Sequence, residues 1–195
     1  MPGMERDMGF GTFATYILTG LMVLGVTQPA VAQSAVPEGY AETLRWYHAR
    51  AEAGDPRVQF LLAIKYETGT DVPRDLARAR ELYIRAARQG YADAQFKAGA
   101  LAQEAAGSDE ELKIARDWYQ AAAIQGHAPA QFNLAVILAN AAREEDEWIE
   151  SASWAIRAGQ GGLPQGRALQ DNLRAQLSGD AFAEAERLSK LPLRP

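Results

Sequence analysis

The two histidines of the chain, His48 and His127, are the side chains best suited to hold a metal ion or to transfer a proton. Either role needs further ligands or a second catalytic group close by. His127 follows a glycine in a turn, and the matching residues in two similar stretches are Asp55 and Tyr91. We therefore expect His127 to be an exposed turn residue and neither histidine to be catalytic. The chain has no cysteine, which excludes thiolate catalysis and cysteine-based zinc sites.

Two other stretches resemble chemical sites. Residues 144–147 read EEDE, and four carboxylates that converge hold calcium or act as acid and base. We favour the alternative that they form the solvated first turn of a helix, where negative charge suits the helix dipole. Residues 158–166 read AGQGGLPQG, but no strand precedes them and no Gly-Lys-Ser/Thr follows, so a phosphate loop is not indicated. The sequence thus predicts no catalytic residue, no metal, no cofactor and no enzyme.

The net charge and the N-terminal segment limit the type of partner and the location. The chain of 195 residues has a net charge of −5, which argues against nucleic-acid binding. Residues 9–26 are uncharged and largely apolar, and small residues stand at the −3 and −1 positions of a cleavage site between Ala32 and Gln33. Residues 1–32 are therefore predicted to be a signal peptide, with an uncleaved anchor as the alternative. We expect an exported protein of a bacterial periplasm.

A repeated phrase organises the rest of the chain. Residues 86–96 read AARQGYADAQF, and residues 122–132 read AAIQGHAPAQF. Gly54, Gly90 and Gly126 stand 36 residues apart, and each is followed five and six residues later by Gln-Phe. A fourth glycine follows at 161 or 162 without this pair. The repeat domain spans residues 33–195, with clear copies at 54–89, 90–125 and 126–161 and a degenerate copy at 162–192.

Each copy predicts two helices. One helix, called B, ends at the glycine, which supplies a left-handed C-terminal cap, and the next, called A, starts within two to four residues. B helices carry a large residue at one fixed place, predicted to lie in the core between helices. A helices carry a residue that is always small, which predicts a tight crossing. These two sets are Trp46, Leu82, Trp118 and Trp154 for the B helices, and Ala63, Gly99 and Ala135 for the A helices.

Polar segments between the A and B helices contain helix caps. Asp71 or Asp75 is a candidate cap, Ser108 with Glu111 forms an S-x-x-E capping box, and Asp180 is predicted to cap a closing helix. The pattern predicts a B-type helix near 39–53 followed by four A/B pairs that end near residue 191. This all-α chain is an α-solenoid of antiparallel helix hairpins with repeats of about 36 residues.

These motifs resemble the Sel-one-like repeat family, a tetratricopeptide-type group of helical repeats. The resemblance rests on A-A-x-Q-G-x-A-x-A-Q, on the aromatic pair before it and on the period, and it is strongest over residues 40–140. The usual Gly-x-Gly loop of the family is only partly present at residues 69–71. The family implies an interaction scaffold, and exported members are often regulators or envelope-associated binding proteins. A cysteine-rich branch is associated with β-lactams, and a chain without cysteine does not fit that branch.

The resemblance implies binding through the concave face, which the A helices usually line. The positions expected to point into that groove vary between copies. They are Leu61, Lys65, Lys97, Leu101, Glu104, Asn133, Ile137 and Asn140.

We expect a protein or peptide partner from the envelope or a signalling system, with membrane contact only through an uncleaved N-terminal segment. Residues 98–150 carry three basic and ten acidic groups, which predicts steering of a basic partner. Two alternatives stay open: a hydrolase acting on cell-wall or β-lactam material, and a structural assembly factor of an envelope complex.

Overall fold

The computed structural model describes residues 38–193, which form nine α-helices and no strand. The odd-numbered helices are the B helices and the even-numbered ones the A helices. The predicted helical solenoid is confirmed, since A and B helices alternate throughout. The bounds are α1 Glu38–Glu52, α2 Pro56–Thr68, α3 Leu76–Arg88, α4 Ala92–Ala105, α5 Asp109–Ala123, α6 Ala128–Ala141, α7 Glu145–Gln160, α8 Pro164–Gln176 and α9 Gly179–Ser189.

The segment predicted to direct export cannot be compared with the structure. Its apolar stretch at residues 9–26 and its cleavage site at Ala32 and Gln33 lie outside the described residues. Among residues 38–193, no helix has both the length and the apolar character needed to span a membrane.

Four glycines turn the chain from a B helix into the following A helix. Gly54, Gly90, Gly126 and Gly162 have φ values of 94°, 85°, 84° and 88°. Only glycine adopts this left-handed backbone without strain, so its regular spacing reflects the geometry of the turn. Gly161 has an ordinary φ of −70°. The fourth anchor is therefore Gly162, and the 36-residue spacing from Gly126 continues without a shift.

A buried glutamine near the start of each of the first three A helices satisfies the end of the B helix before it. Its amide nitrogen donates to a carbonyl oxygen eight residues earlier at the end of the B helix, and the same oxygen also accepts from the N–H of the turn glycine. The bonds run from Gln59 to Ala51 at 2.9 Å, from Gln95 to Ala87 at 3.3 Å and from Gln131 to Ala123 at 3.0 Å.

The degenerate fourth junction keeps this bond with a different residue. Arg167 occupies the place of the glutamine, and its Nε donates to the Gly159 carbonyl at 3.3 Å. The fourth junction therefore lacks the Gln-Phe pair in its sequence but keeps the equivalent hydrogen bond in the structure.

The predicted caps are mostly confirmed. Asp75 caps α3 by accepting from the Arg78 N–H at 2.9 Å, and Ser108 caps α5 by accepting from the Glu111 N–H at 3.4 Å. The prediction for the closing helix was wrong by two residues. Ser178, rather than Asp180, accepts from the first turn of α9, because its side chain reaches the Ala181 N–H at 3.2 Å.

The predicted core position of the tryptophans holds for Trp154, which is buried, and only partly for Trp118. The prediction is wrong for Trp46, which is 52% exposed. At the equivalent place, Leu82 and Trp118 pack toward the preceding repeat. Because α1 is the first described helix, no repeat within the described residues precedes Trp46 to cover it.

The small residue of the A helix marks a close crossing in the hairpin of α4 and α5. A Cβ on Gly99 would lie 2.7 Å from Cδ1 and 2.8 Å from Cε1 of Tyr119. Tyr119 is 1% exposed, and its hydroxyl donates to Oε1 of Gln103 at 2.9 Å, so the ring has little room to move. The predicted tight crossing is present at this position.

We expect Gly99→Ala to destabilise the protein by about 1–2 kcal/mol, because overpacking of the Tyr119 ring exceeds the gain in helix propensity. The free energy of unfolding from urea titrations tests this. Gly39→Ala is the matched control, since a Cβ at Gly39 in α1 meets no atom within 4 Å. An equal effect of the two substitutions would contradict the close crossing.

Candidate interaction surface

The eight residues predicted from the sequence to bind a partner differ in how much of each side chain is exposed. Leu61 is 38% exposed, and Glu104 and Asn140 at the C-terminal ends of α4 and α6 are also exposed. Ile137 is 6% exposed and belongs to the largest buried cluster. Leu101 is half-buried and packs against the cluster around α2 and α3. The A helices therefore present three of these residues freely at their surface.

Lys97 is engaged inside the array. Its Nζ lies 3.2 Å from Oε2 of Glu67 on the preceding A helix and 5.6 Å from the centre of the Tyr83 ring. The Tyr83 hydroxyl donates to the same carboxylate at 2.5 Å. Burial raises the pKa of Glu67, but the hydrogen bonds from Tyr83 and Lys97 lower it by more, so the net shift is downward. This cluster joins two adjacent repeats.

The next repeat has a neutral version of the same cluster. Tyr119 and Gln103 stand 36 residues after Tyr83 and Glu67, and they form the hydrogen bond already described. Asn133 takes the place of Lys97 and interacts with the Tyr119 hydroxyl. Burial raises the pKa of Tyr119, and this contact opposes the shift. Lys97 and Asn133 therefore hold repeats together, a role that their variation between copies did not reveal.

Lys65 is also paired within its own repeat. Its ammonium group bonds the carboxylate of Asp71, which adopts a left-handed φ of 71° in the loop after α2. The same ammonium group lies 5.2 Å from the centre of the Tyr47 ring on α1. Its charge is thus partly neutralised before any partner arrives.

Asn140 and Ile137 line a groove of about 290 Å³ between α5 and α6. The groove is also lined by Lys113, Arg116 and Arg143. These three are all the lysine and arginine residues of the strongly acidic stretch 98–150. The acidic character expected to steer a basic partner is therefore interrupted by local positive charge at this groove.

The acidic run before α7 serves as a helix start. The Glu147 carboxylate turns back and accepts from the backbone N–H groups of Arg143 and Glu144, at 2.5 and 3.2 Å. These hydrogen bonds lower the pKa of Glu147. The predicted solvated cap is confirmed, and no group of three or more His, Asp or Glu side chains within residues 38–193 could hold a metal ion.

His127 differs from the exposed turn residue predicted. Its side chain is 16% exposed and stacks on Phe96 with ring centres 4.8 Å apart. Nδ1 accepts from the Ala130 N–H at 3.2 Å and so caps α6, while Nε2 lies 3.3 Å from Oδ1 of Asp93. The burial arises because His127 packs against the preceding A helix. The variation among Asp55, Tyr91 and His127 in the sequence does not indicate this burial.

Burial lowers the pKa of His127, and Asp93 opposes that shift. The unfolded chain therefore binds a proton more readily than the folded chain near the ordinary histidine pKa of about 6.5. We expect the contribution of His127 to stability to be complete above that pH and to decrease as pH falls below it. Urea titrations between pH 7.5 and 5.5 measure the slope.

The matched variants for this prediction are His127→Asn and Asp93→Asn. Asparagine keeps an acceptor for the cap of α6 but does not titrate, so His127→Asn should flatten the slope. Asp93→Asn removes the group that opposes the shift and should steepen it. A slope that neither variant changes would contradict the assignment to His127.

The sequence reasoning missed the glutamine pairs that join the two helices of one repeat. Gln89 donates to Oε1 of Gln59 at 2.7 Å, and Gln125 donates to Oε1 of Gln95 at 2.7 Å. The recurrence of Gln before the turn glycine was visible in the sequence, although its partner was not. Each of these bonds spans 30 residues, and the two lie in the copies 54–89 and 90–125.

Comparison with known proteins agrees with this geometry. A family model described as the Sel1 repeat matches residues 56–91 and 92–127. No curated protein matches the sequence significantly. Both matched copies are 36 residues long and each contains one A/B hairpin.

Two solved structures are similar over most of the chain. One is c5321, a protective antigen present in uropathogenic Escherichia coli strains that displays an SLR fold, with 25% identity and a TM-score of 0.60 over 76% of this chain. The chain spans only 33% of the length of c5321. The other is a Sel1 repeat protein from Oxalobacter formigenes, with 21% identity and a TM-score of 0.59 over 67% of this chain and 98% of that one. The second likeness concerns the fold alone.

Sel1 repeats are protein-interaction modules, and the described helices leave part of each A helix exposed for such a role. The turn glycines, the glutamine bonds and the two matched copies all follow one 36-residue period. Residues 56–127 therefore form two Sel1 repeats, within a helical array that keeps the same period on both sides of them.

Proposed function

We propose that this chain is an exported, non-enzymatic scaffold or regulator that binds a peptide or domain of an envelope or signalling protein. Binding takes place on the exposed side of the A helices. The contact residues are Leu61, Glu104 and Asn140 together with the groove between α5 and α6. Export rests on the N-terminal sequence, and mass spectrometry of the mature protein should find Gln33 as its first residue.

One observation carries this proposal. The glutamines that bond each of the first three A helices to the B helix before it are constant, whereas exposed positions of these A helices differ in every copy. Thr68, Glu104 and Asn140 occupy one such column, and all three are exposed. A fixed frame with variable exposed residues is the arrangement of repeat proteins that bind extended partners.

The state of the buried serines supports a non-enzymatic role. A serine nucleophile needs an adjacent general base. Ser151, Ser153 and Ser189 are buried, and each donates its hydroxyl hydrogen to a backbone carbonyl at 2.8 Å. Ser151 bonds across to α6, whereas Ser153 and Ser189 bond within their own helices, so all three hydroxyl protons are engaged by backbone carbonyls.

Site-specific photocrosslinking in native cells tests the proposal. A photoreactive phenylalanine derivative would replace Leu61, Glu104 or Asn140, one at a time, in the full chain. We expect the same partner protein to be crosslinked from at least two of these positions. Arg80 is the matched control position, since it is exposed on α3, a B helix.

Three results would contradict parts of the proposal. Equal crosslinking from Arg80 would show that the A-helix surface is not the binding face. A partner recovered only in a fixed ratio, as part of a larger envelope complex, would favour the assembly-factor alternative. Hydrolysis of cell-wall or β-lactam substrates by the purified chain would overturn the non-enzymatic role.

A further inference from the structure

A cavity of about 370 Å³ lies between α1 and α3. It borders the first A/B hairpin, which α2 and α3 form. Its apolar lining includes Ala51 of α1, Leu62 of α2 and Leu82 of α3. Arg85, one turn further along α3, also lines it. None of the residues nominated for binding from the sequence contributes to this cavity, so it is separate from the A-helix surface.

The next repeat fills the equivalent space with its own tryptophan. Trp118 stands 36 residues after Leu82. It packs against the buried cluster that contains Ala87 and Ala98, which correspond to Ala51 and Leu62. The first hairpin thus carries leucine beside the cavity, at the position where the next hairpin carries an indole ring.

The cavity also retains a cation suited to an aromatic ring. Arg157 occupies in α7 the place that Arg85 occupies in α3, and its guanidinium lies 5.6 Å from the centre of the Trp154 ring. Trp154 in turn occupies the place of Leu82. The first hairpin thus has the arginine of this cation–π pair without its ring.

Arg85 is held at the cavity by weak contacts. Its guanidinium lies 3.9 Å from the Glu81 carboxylate and donates to the Ala51 carbonyl at 3.4 Å. Its side chain remains 40% exposed. A ring entering the cavity therefore meets a positioned cation without breaking a strong ion pair.

The rim adds negative charge. Glu52, Asp75 and Glu81 line the cavity together with His48, Arg78 and Arg85. The guanidinium of Arg78 lies 5.1 Å from the centre of the Tyr66 ring and keeps its charge, so the three carboxylates exceed the two guanidinium groups of the rim by one negative charge. Basic residues beside the inserted ring would complement this rim.

We propose that the cavity between α1 and α3 is a docking site for a tryptophan side chain of a partner polypeptide, flanked by basic residues. The indole takes the place that Trp118 fills in the next repeat, and Arg85 stacks on its face. This inference rests on the proposed role as a protein-interaction scaffold, but not on the A-helix surface. It assigns a second contact to the opposite helices of the array.

Nuclear magnetic resonance titration of the full chain with short capped peptides tests the site. The probes are acetyl-Lys-Trp-Lys-amide, acetyl-Lys-Leu-Lys-amide and acetyl-Glu-Trp-Glu-amide. We expect the first to shift the backbone amides of Leu82 and Arg85 in a saturable manner. The other two should bind at least roughly tenfold more weakly, and Arg85→Gln should weaken binding of the first by roughly three- to tenfold.

Two substitutions make the test independent of loss of folding. Leu82→Trp fills the cavity with the residue that the fold already accepts at Trp118, so it should keep the protein folded and abolish binding of the Lys-Trp-Lys peptide. Trp118→Leu should open a second cavity and raise the stoichiometry from one peptide to two. Unchanged binding in the folded Leu82→Trp variant would overturn the proposal, as would equal binding of the Lys-Leu-Lys peptide.

The results also separate this site from the proposed function. Crosslinking from Leu61, Glu104 and Asn140 that fails while the peptide still binds would reject the A-helix surface and keep the docking site. Crosslinking that succeeds while no peptide binds would reject the docking site alone.

Discussion

Replacing Gly166 with alanine should destabilise the protein by about 3 kcal/mol and loosen α8 from α7, because the new methyl group would overlap backbone atoms. A Cβ at this position would lie 2.6 Å from the nitrogen of Gly159 and 2.8 Å from the carbonyl carbon of Ala158. Side chains can rotate away from such a contact, but these atoms move only with the helix. The expected cost therefore exceeds that of Gly99→Ala, where the neighbour is a ring.

The repeat explains why the contact is so short. The residue pair formed by Gly159 and Gly166 corresponds to Ala87 and Ala94 in an earlier copy, at the same separation of seven residues. Two glycines at the fourth junction let α7 and α8 approach more closely than a pair of alanines would. The local nature of repeat stability predicts that the damage stays near this junction.

Urea unfolding and native-state hydrogen exchange measure the two parts of this prediction. Exchange should accelerate in α8 and α9, and protection in α2 and α3 should stay near that of the unmodified protein. Gly39→Ala again serves as the control, since it adds the same methyl group in open space. Loss of protection spread evenly over all helices, or no loss at all, would contradict the close contact.

The fold could be predicted because backbone requirements recur at fixed spacing. A left-handed turn restricts the residue to glycine, so Gly54, Gly90 and Gly126 mark the helix ends directly. The fourth turn was ambiguous because two glycines are adjacent and only φ distinguishes Gly162 from Gly161. The sequence does not show which of two adjacent glycines forms the turn, whereas the backbone φ angles do.

The surface was harder to predict, since periodicity assigns a helix face but not the reach of a side chain. Lys97 and Asn133 lie in an outward column, yet Lys97 extends to Glu67 on the neighbouring helix. Long polar side chains commonly cover adjacent surface in this way. Leu61 in the same column has no polar group with which to make such a bond, and it stays exposed.

Position within the array decides burial where the residue type is constant. Trp46 and Trp154 occupy the same place in their helices, but Trp46 is 52% exposed and Trp154 is 8% exposed. A repeat pattern treats each copy as if it had two neighbours. The prediction therefore fails at an end of the described array, and there the physical context outweighs the motif.

Replacing Gln95 with leucine should cost about 2 kcal/mol, because two hydrogen bonds of a buried side chain are lost together. Gln95 is 7% exposed. Its amide donates to the Ala87 carbonyl at 3.3 Å, and its Oε1 accepts from Gln125 at 2.7 Å. Leucine has a similar size and fills the space, but it makes neither of these hydrogen bonds. The free energy of unfolding from urea titrations gives the magnitude.

A double-mutant cycle with Gln125→Ala tests whether Gln95 is bonded to the end of the B helix in its own repeat. Gln125 is exposed, and its other bonds, to the carbonyls of Gly90 and Ala121, lie at the surface, so its own loss should be smaller. We expect a coupling free energy of about 1 kcal/mol between the two glutamines, the usual net value of one such hydrogen bond. Gln120→Leu, on the exposed side of α5, should change stability by less than about 0.5 kcal/mol. Additive losses at Gln95 and Gln125 would contradict this hydrogen bond.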